Sequence, residues 1–150
     1  MAHRSTESRV SFKISSREGR VYANAELNAD GFDYAEYFYN SDGFIHQDGQ
    51  ILTFNGAGVA VPENENDYIA GVVSTVPGVV CNASKEGNEH EHTLVGLLGQ
   101  LYVRVYENIS TDYVSVLGKS SKEKTRLRMM TTVTPYNDVK GYGVVLCMLK

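Results

Sequence analysis

The sequence predicts an all-β protein, a compact sandwich or barrel of short antiparallel strands preceded by an extended N-terminal β stem. Three observations predict it. Short runs rich in Val, Ile, Tyr and Thr recur along all 150 residues. Fourteen glycines and three prolines punctuate those runs over the whole length. No segment keeps an apolar period of 3.6 residues for the three turns that a helix normally needs.

The strands follow in order. Arg9 to Ser15 alternates, with Val10, Phe12 and Ile14 on one side and Ser11 and Lys13 on the other. That period of two marks a half-buried strand. Arg20 to Leu27 and Asp33 to Tyr39 read the same way, with aromatic residues. Phe44-Ile45-His46 and Gln50 to Phe54 flank Gln47-Asp48-Gly49, and Asp-Gly between two such runs predicts a hairpin. Tyr68 to Val76, Leu97 to Tyr106, Asp112 to Leu117, Thr125 to Thr134 and Tyr142 to Leu149 complete the set. Polar stretches at 62–67, 82–92 and 120–124 read as loops. Residues 1–29 are polar for their length and the compact alternation begins near Gly31, which predicts a boundary near Asn28-Ala29-Asp30-Gly31, between a segment over 1–29 and a compact domain over 30–150.

Composition narrows the function. Fourteen basic residues against 18 acidic ones give a net charge of −4, which argues against a binder of nucleic-acid backbone. No apolar run approaches the roughly 20 residues that span a bilayer, so no membrane partner is expected. Met1 to Thr6 has no apolar core of a signal peptide. Cys81 and Cys147 both lie in apolar runs and are expected as buried free thiols, as in a reducing compartment.

Several motifs invite chemistry and are set aside. His90-Glu91-His92 offers two imidazoles, with Glu89 nearby, but zinc wants three or four rigid ligands, so a solvated loop is expected and no metal. Gly118-Lys119-Ser120 lacks the earlier glycine and the following helix of a phosphate-binding loop. Asn82-Ala83-Ser84 and Asn108-Ile109-Ser110 are read as chance matches to a glycosylation sequon. Cys81 as a nucleophile would require an exposed, electropositive setting, and Val79-Val80 before it predict core.

The acidic residues Asp30, Asp33 and Glu36 are the strongest candidates. Asp30-Gly31 lets a carboxylate approach a neighbouring carbonyl, because glycine frees the backbone to turn. In a regular strand Asp33 and Glu36 lie on opposite faces, so one of them is expected to be buried. Burial raises a carboxyl pKa, and a protonated acid beside an ionised one suits acid/base activation of water.

Val21-Tyr22-Ala23 followed by Gly31-Phe32-Asp33-Tyr34-Ala35-Glu36-Tyr37-Phe38 resembles the signature of a known family. It is similar to the self-cleaving intramolecular-chaperone domain of tailed-phage appendages and tail spikes, peptidase family G-two. Asp67 to Ser74, Pro77 to Val80, Val95 to Val105 and Gly141 to Leu146 resemble later blocks of that family in the same order, so the likeness covers about residues 20–150. Tyr39-Asn40 stands where the family usually has Glu-Trp, and Phe32 where a small residue precedes the Asp. No serine precedes Asp30, and the analogy then puts the scissile bond at Ala29–Asp30.

The resemblance implies a domain at the C-terminus of a fibre protein that trimerises the β-rich stem upstream of it and then cuts itself free. It implies Asp33 and Glu36 as the acid/base pair, with Asp30 supplying strain or a donor at the scissile bond. Either a bulge re-aims one of the pair or a neighbouring subunit supplies the second carboxylate. Cleavage itself calls for no cofactor. The setting would be the host cytoplasm during virion assembly, with the parent protein on the virion. Two rivals stand beside this reading. One is a non-cleaving trimerisation or receptor-binding tip, which the altered Tyr39-Asn40 and the absent serine favour. The other is an unrelated β-sandwich that uses some of its ten tyrosines to stack on a glycan or nucleotide.

Overall fold

The computed structural model describes residues 12–15, 17–23 and 30–150. Strands β1 (Phe12–Ser15) and β2 (Arg20–Ala23) form an antiparallel pair of their own. The rest of the predicted stem, including Ala29, lies outside the described residues.

The other ten strands join into one sheet that curls on itself. They are β3 (Asp33–Tyr39), β4 (Ile51–Asn55), β5 (Gly58–Ala60), β6 (Gly71–Val73), β7 (Pro77–Cys81), β8 (His92–Val105), β9 (Tyr113–Val114), β10 (Ser120–Ser121), β11 (Leu127–Asn137) and β12 (Tyr142–Leu149). Their order is β10-β9-β11-β12-β8-β6-β4-β5, with β3 paired to β8 and β7. The all-β expectation holds, and among the described residues the only helical turn is a 3₁₀ segment at Ala83–Lys85. All pairings between strands are antiparallel except β3 with β7, which run parallel.

The 14-residue β8 is the spine. Its second half, Gly99 to Val105, pairs with β12, and its first half, His92 to Gly99, pairs with β3. Gly99 stands opposite both Leu149 and Asp33, so β12 ends where β3 begins. Gly99 has φ +113°, and a Cβ there would lie 2.5 Å from the Phe32 carbonyl oxygen. Only glycine lets the incoming chain close on β8 at that corner.

Two apolar clusters hold the sheet. One gathers Val72, Leu101, Val103, Val114, Leu127, Val145, Cys147 and Leu149. The other gathers Leu52, Val59, Ala70, Val73 and Val95, with Phe38 packed on it. The alternation of β12 buries Val145, Cys147 and Leu149 on one face. Arg126 ties the clusters together at the back: its guanidinium donates to the carbonyls of Ile69, Ala70, Leu97 and Lys150 at 2.7–3.1 Å. One planar cation thus satisfies acceptors from three separate segments.

The structure corrects four expectations. The Asp48-Gly49 turn forms, but Phe44 to His46 is not a strand. Gly49 docks instead between Val73 and Arg104, and the hairpin partner of β4 is β5. Pro77 to Cys81 is an edge strand with Val79 and Val80 exposed, not core. Cys81 is therefore half-buried, whereas Cys147 is buried as expected. Residues 68–76 supply only the three-residue β6, and β8 begins at His92 rather than at the predicted Leu97.

Candidate active site

β3 forms where it is expected because Asp33-Tyr34-Ala35-Glu36-Tyr37-Phe38-Tyr39 alternates and is rich in aromatic residues. The chain enters it stitched on both sides. Phe32 N–H donates to the Val76 carbonyl at 3.0 Å, and its own carbonyl accepts from Gln100 N–H at 3.2 Å. Gly31 lies flat against β7, where a Cβ would meet the Pro77 carbonyl carbon at 2.1 Å. Asp30, just outside, is exposed.

Asp33 is the buried carboxyl, 6% exposed. Ser74 Oγ donates to its Oδ1 at 3.1 Å. Its Oδ2 has no hydrogen-bond partner among the described residues. Gly96 makes room for that oxygen, since a Cβ on Gly96 would lie 2.6 Å from Oδ2 and 2.5 Å from Leu101. Burial pushes the Asp33 pKa above the ordinary carboxyl value, and the Ser74 hydrogen bond offsets only part of that.

Glu36 sits elsewhere. It is half-exposed and opposite Cys81 in the parallel β3–β7 register. Tyr34 donates its hydroxyl to Glu36 Oε1. Register shifts occur beside Asp33 and Tyr34, so a bulge is present where one was anticipated. It does not bring the two acids together: Asp33 faces Ser74 and Gly96, while Tyr34 and Glu36 share the other face. One chain presents two separate carboxyl sites on one strand.

A second polar cluster, which no sequence motif marks, lies at the far end of β3. His46 is buried, its Nδ1 2.9 Å from Thr93 Oγ1. Its Nε2–H donates to Asp42 at 3.0–3.1 Å. Thr93 donates to Asn40 Oδ1 at 2.7 Å. Asp42 also accepts from the N–H groups of Val61 and Phe44. Asn40, flagged as a departure from the family pattern, is here a buried link in this network. His90 is exposed and His92 packs edge-on against Tyr39, and among the described residues no three His, Cys, Asp or Glu gather as a metal site.

The described domain is thus a curled all-β sheet whose strand β3 carries a buried carboxyl directly after the chain enters it. Comparison with known proteins gives the family. Residues 2–90 and 85–150 match the family described as Peptidase_G2, IMC autoproteolytic cleavage domain, and the chain belongs to it. It is a self-cleaving domain by family. It is 22% identical to the preneck appendage protein of Bacillus phage PZA, over 95% of this chain and 22% of that protein. It is 27% identical to the phage-related protein YobO of Bacillus subtilis (strain 168), over 78% of this chain and 21% of that one. The chain thus spans about a fifth of the length of the curated relatives it matches. Its fold matches that of the pre-mature bacteriophage phi29 gene product 12, with a TM-score of 0.77, 21% identity, and 93% of this chain against 24% of that one. The C-terminal fragment of the same product matches over 79% of this chain and 100% of the fragment, with a TM-score of 0.64 and 22% identity.

Proposed function

We propose that this chain is the intramolecular chaperone of a phage tail-spike or appendage protein. In this reading it gathers three copies of an upstream β-rich stem and then frees itself by hydrolysing Ala29–Asp30. Its family and the preneck appendage relatives support the setting. The single observation that carries the chemistry is Asp33, a carboxyl kept dry three residues past Asp30.

The step uses one water. An ionised Glu36 takes a proton from it, and the oxygen attacks the Ala29 carbonyl carbon. The bond from that carbon to the Asp30 nitrogen breaks, and Asp33 gives its proton to the departing nitrogen. Asp30 contributes strain or a local donor at the bond. No cofactor is required. A million-fold acceleration, about 8 kcal/mol, suffices for a reaction that runs once. Because Asp33 and Glu36 of one chain face apart, the second carboxylate comes from a neighbouring copy. Cutting then waits for the trimer. Three chains pay loop-closure entropy before long-range pairing rewards them, and a small trimeric domain raises their effective concentration. The cut would fall in the host cytoplasm during assembly, leaving the parent on the virion.

Mixed assembly tests this. Asp33→Asn chains alone and Glu36→Gln chains alone should stay whole on denaturing gels. Refolded together, they should yield fragments, because a mixed trimer pairs an intact Asp33 with an intact Glu36 from another copy. Uncut mixtures of folded trimers would confine the reaction to one chain. A wild-type preparation that is monomeric and never splits would reject the whole reading in favour of a non-cleaving tip.

A further inference from the structure

Glu36 stands on the half-exposed face of β3, where a free glutamate samples several rotamers. Two neighbours limit it. Tyr34, two residues earlier on the same face, donates its hydroxyl to Oε1. Cys81 stands opposite Glu36 on the parallel edge strand β7. The Tyr34 ring is flanked in register by Val79 on β7 and Leu98 on β8, both of them exposed. Side chains paired across neighbouring strands restrict one another.

We propose that Tyr34 is a positioning residue for self-cleavage, its hydroxyl pinning Glu36 Oε1 so that Oε2 is left to take the proton of the attacking water. The inference rests on the reading of Glu36 as the base. The chemistry suits the role. A phenol hydroxyl donates to a carboxylate without adding charge, and such a charge-assisted bond is stronger than one between neutral groups. The Tyr34 pKa is pushed upward by its hydrogen bonds to Cys81 and Glu36, so the hydroxyl keeps its proton and remains a donor. Oε1 is thereby occupied by a donor that cannot itself act as base.

The experiment follows cutting of Tyr34→Phe by intact-mass spectrometry over time and across pH, beside Glu36→Gln and Cys81→Ala. Tyr34→Phe keeps the ring and removes one oxygen. Cutting should slow about ten-fold or more, the size expected for a hydrogen bond to a charged group. The pH–rate profile of Tyr34→Phe should also change shape, because the group that takes the proton of the water has lost the donor that pins it. A merely structural role would lower the melting temperature and leave the profile in place. Cys81→Ala should cut within a few-fold of wild type, since the Tyr34–Glu36 bond remains. Unchanged rate and profile in Tyr34→Phe, with Glu36→Gln inert, would overturn this inference alone. Loss of cutting in Cys81→Ala equal to that in Tyr34→Phe would move the role to the thiol and also overturn it. Wild-type cutting by Glu36→Gln would overturn both this inference and the reading beneath it.

Discussion

Asp33 and Asp42 stand at opposite ends of the same strand region, and the protein treats them in opposite ways. Burial is the largest influence on each and pushes both pKa values up. At Asp42 hydrogen bonds from His46, Val61 and Phe44, with the charge of His46, reverse that push and bring the pKa below the ordinary carboxyl value. At Asp33 a single hydroxyl opposes burial and the pKa stays raised. The difference teaches how hydrogen bonding decides which way burial moves a carboxyl. In the proposed reading Asp42, held by several donors, keeps structure, and Asp33, opposed by one hydroxyl, serves proton transfer.

The largest effect should come from Asp33→Asn and Glu36→Gln, each expected to slow cutting by about a thousand-fold, within the usual range for acid/base groups. Gels of freshly purified protein would show it, and rapid cutting by either would remove that residue from the reaction. Gly96→Ala comes next. Its methyl would lie 2.6 Å from Asp33 Oδ2, so the carboxyl must move. A displacement of that kind should cost about a hundred-fold in rate. Normal cutting would show that Asp33 tolerates a new position.

Asp42→Asn should separate the two ends in the other direction. It should lower unfolding stability by about 1–3 kcal/mol, the cost of unpaired buried donors, while the rate of cutting by folded protein stays the same. Denaturant titration and gels together check this. The smallest effect is in the pH dependence of stability. Above the ordinary carboxyl value and up to the raised value of Asp33, the folded chain keeps a proton that the unfolded chain releases. Stability therefore falls as pH rises through that window, and Asp33→Asn should flatten the fall. For Asp42 the stabilising effect is present above the ordinary value and is lost as pH drops through the window beneath it. Asp42→Asn should remove that acid-side loss in the same titration.

Much of this was legible in the residues. β3 and β12 read directly, because alternation and aromatic or aliphatic content agree over their whole length. β7 did not, because Val79-Val80 suits a core strand as well as an edge, and only the sheet order decides. The start of β8 was hidden by polar residues that lead into it. That one of two acids is buried followed from strand parity, but which one did not. The choice is made by Ser74, 41 residues away, and by the bare backbones of Gly96 and Gly99. The His46 network was invisible for the same reason: its partners meet only in the folded chain.

The stitching of Phe32 between Val76 and Gln100 has a mechanical consequence. Scission at Ala29–Asp30 would leave a leash of only Asp30 and Gly31 ahead of the first anchored residue. The released part would keep every strand pairing from β3 onward, with almost no slack left to re-enter its former position. The severed ends would also carry a fresh carboxylate and a fresh ammonium, which water solvates separately. Departure of the domain would then require no unravelling of β3 or of the strands after it.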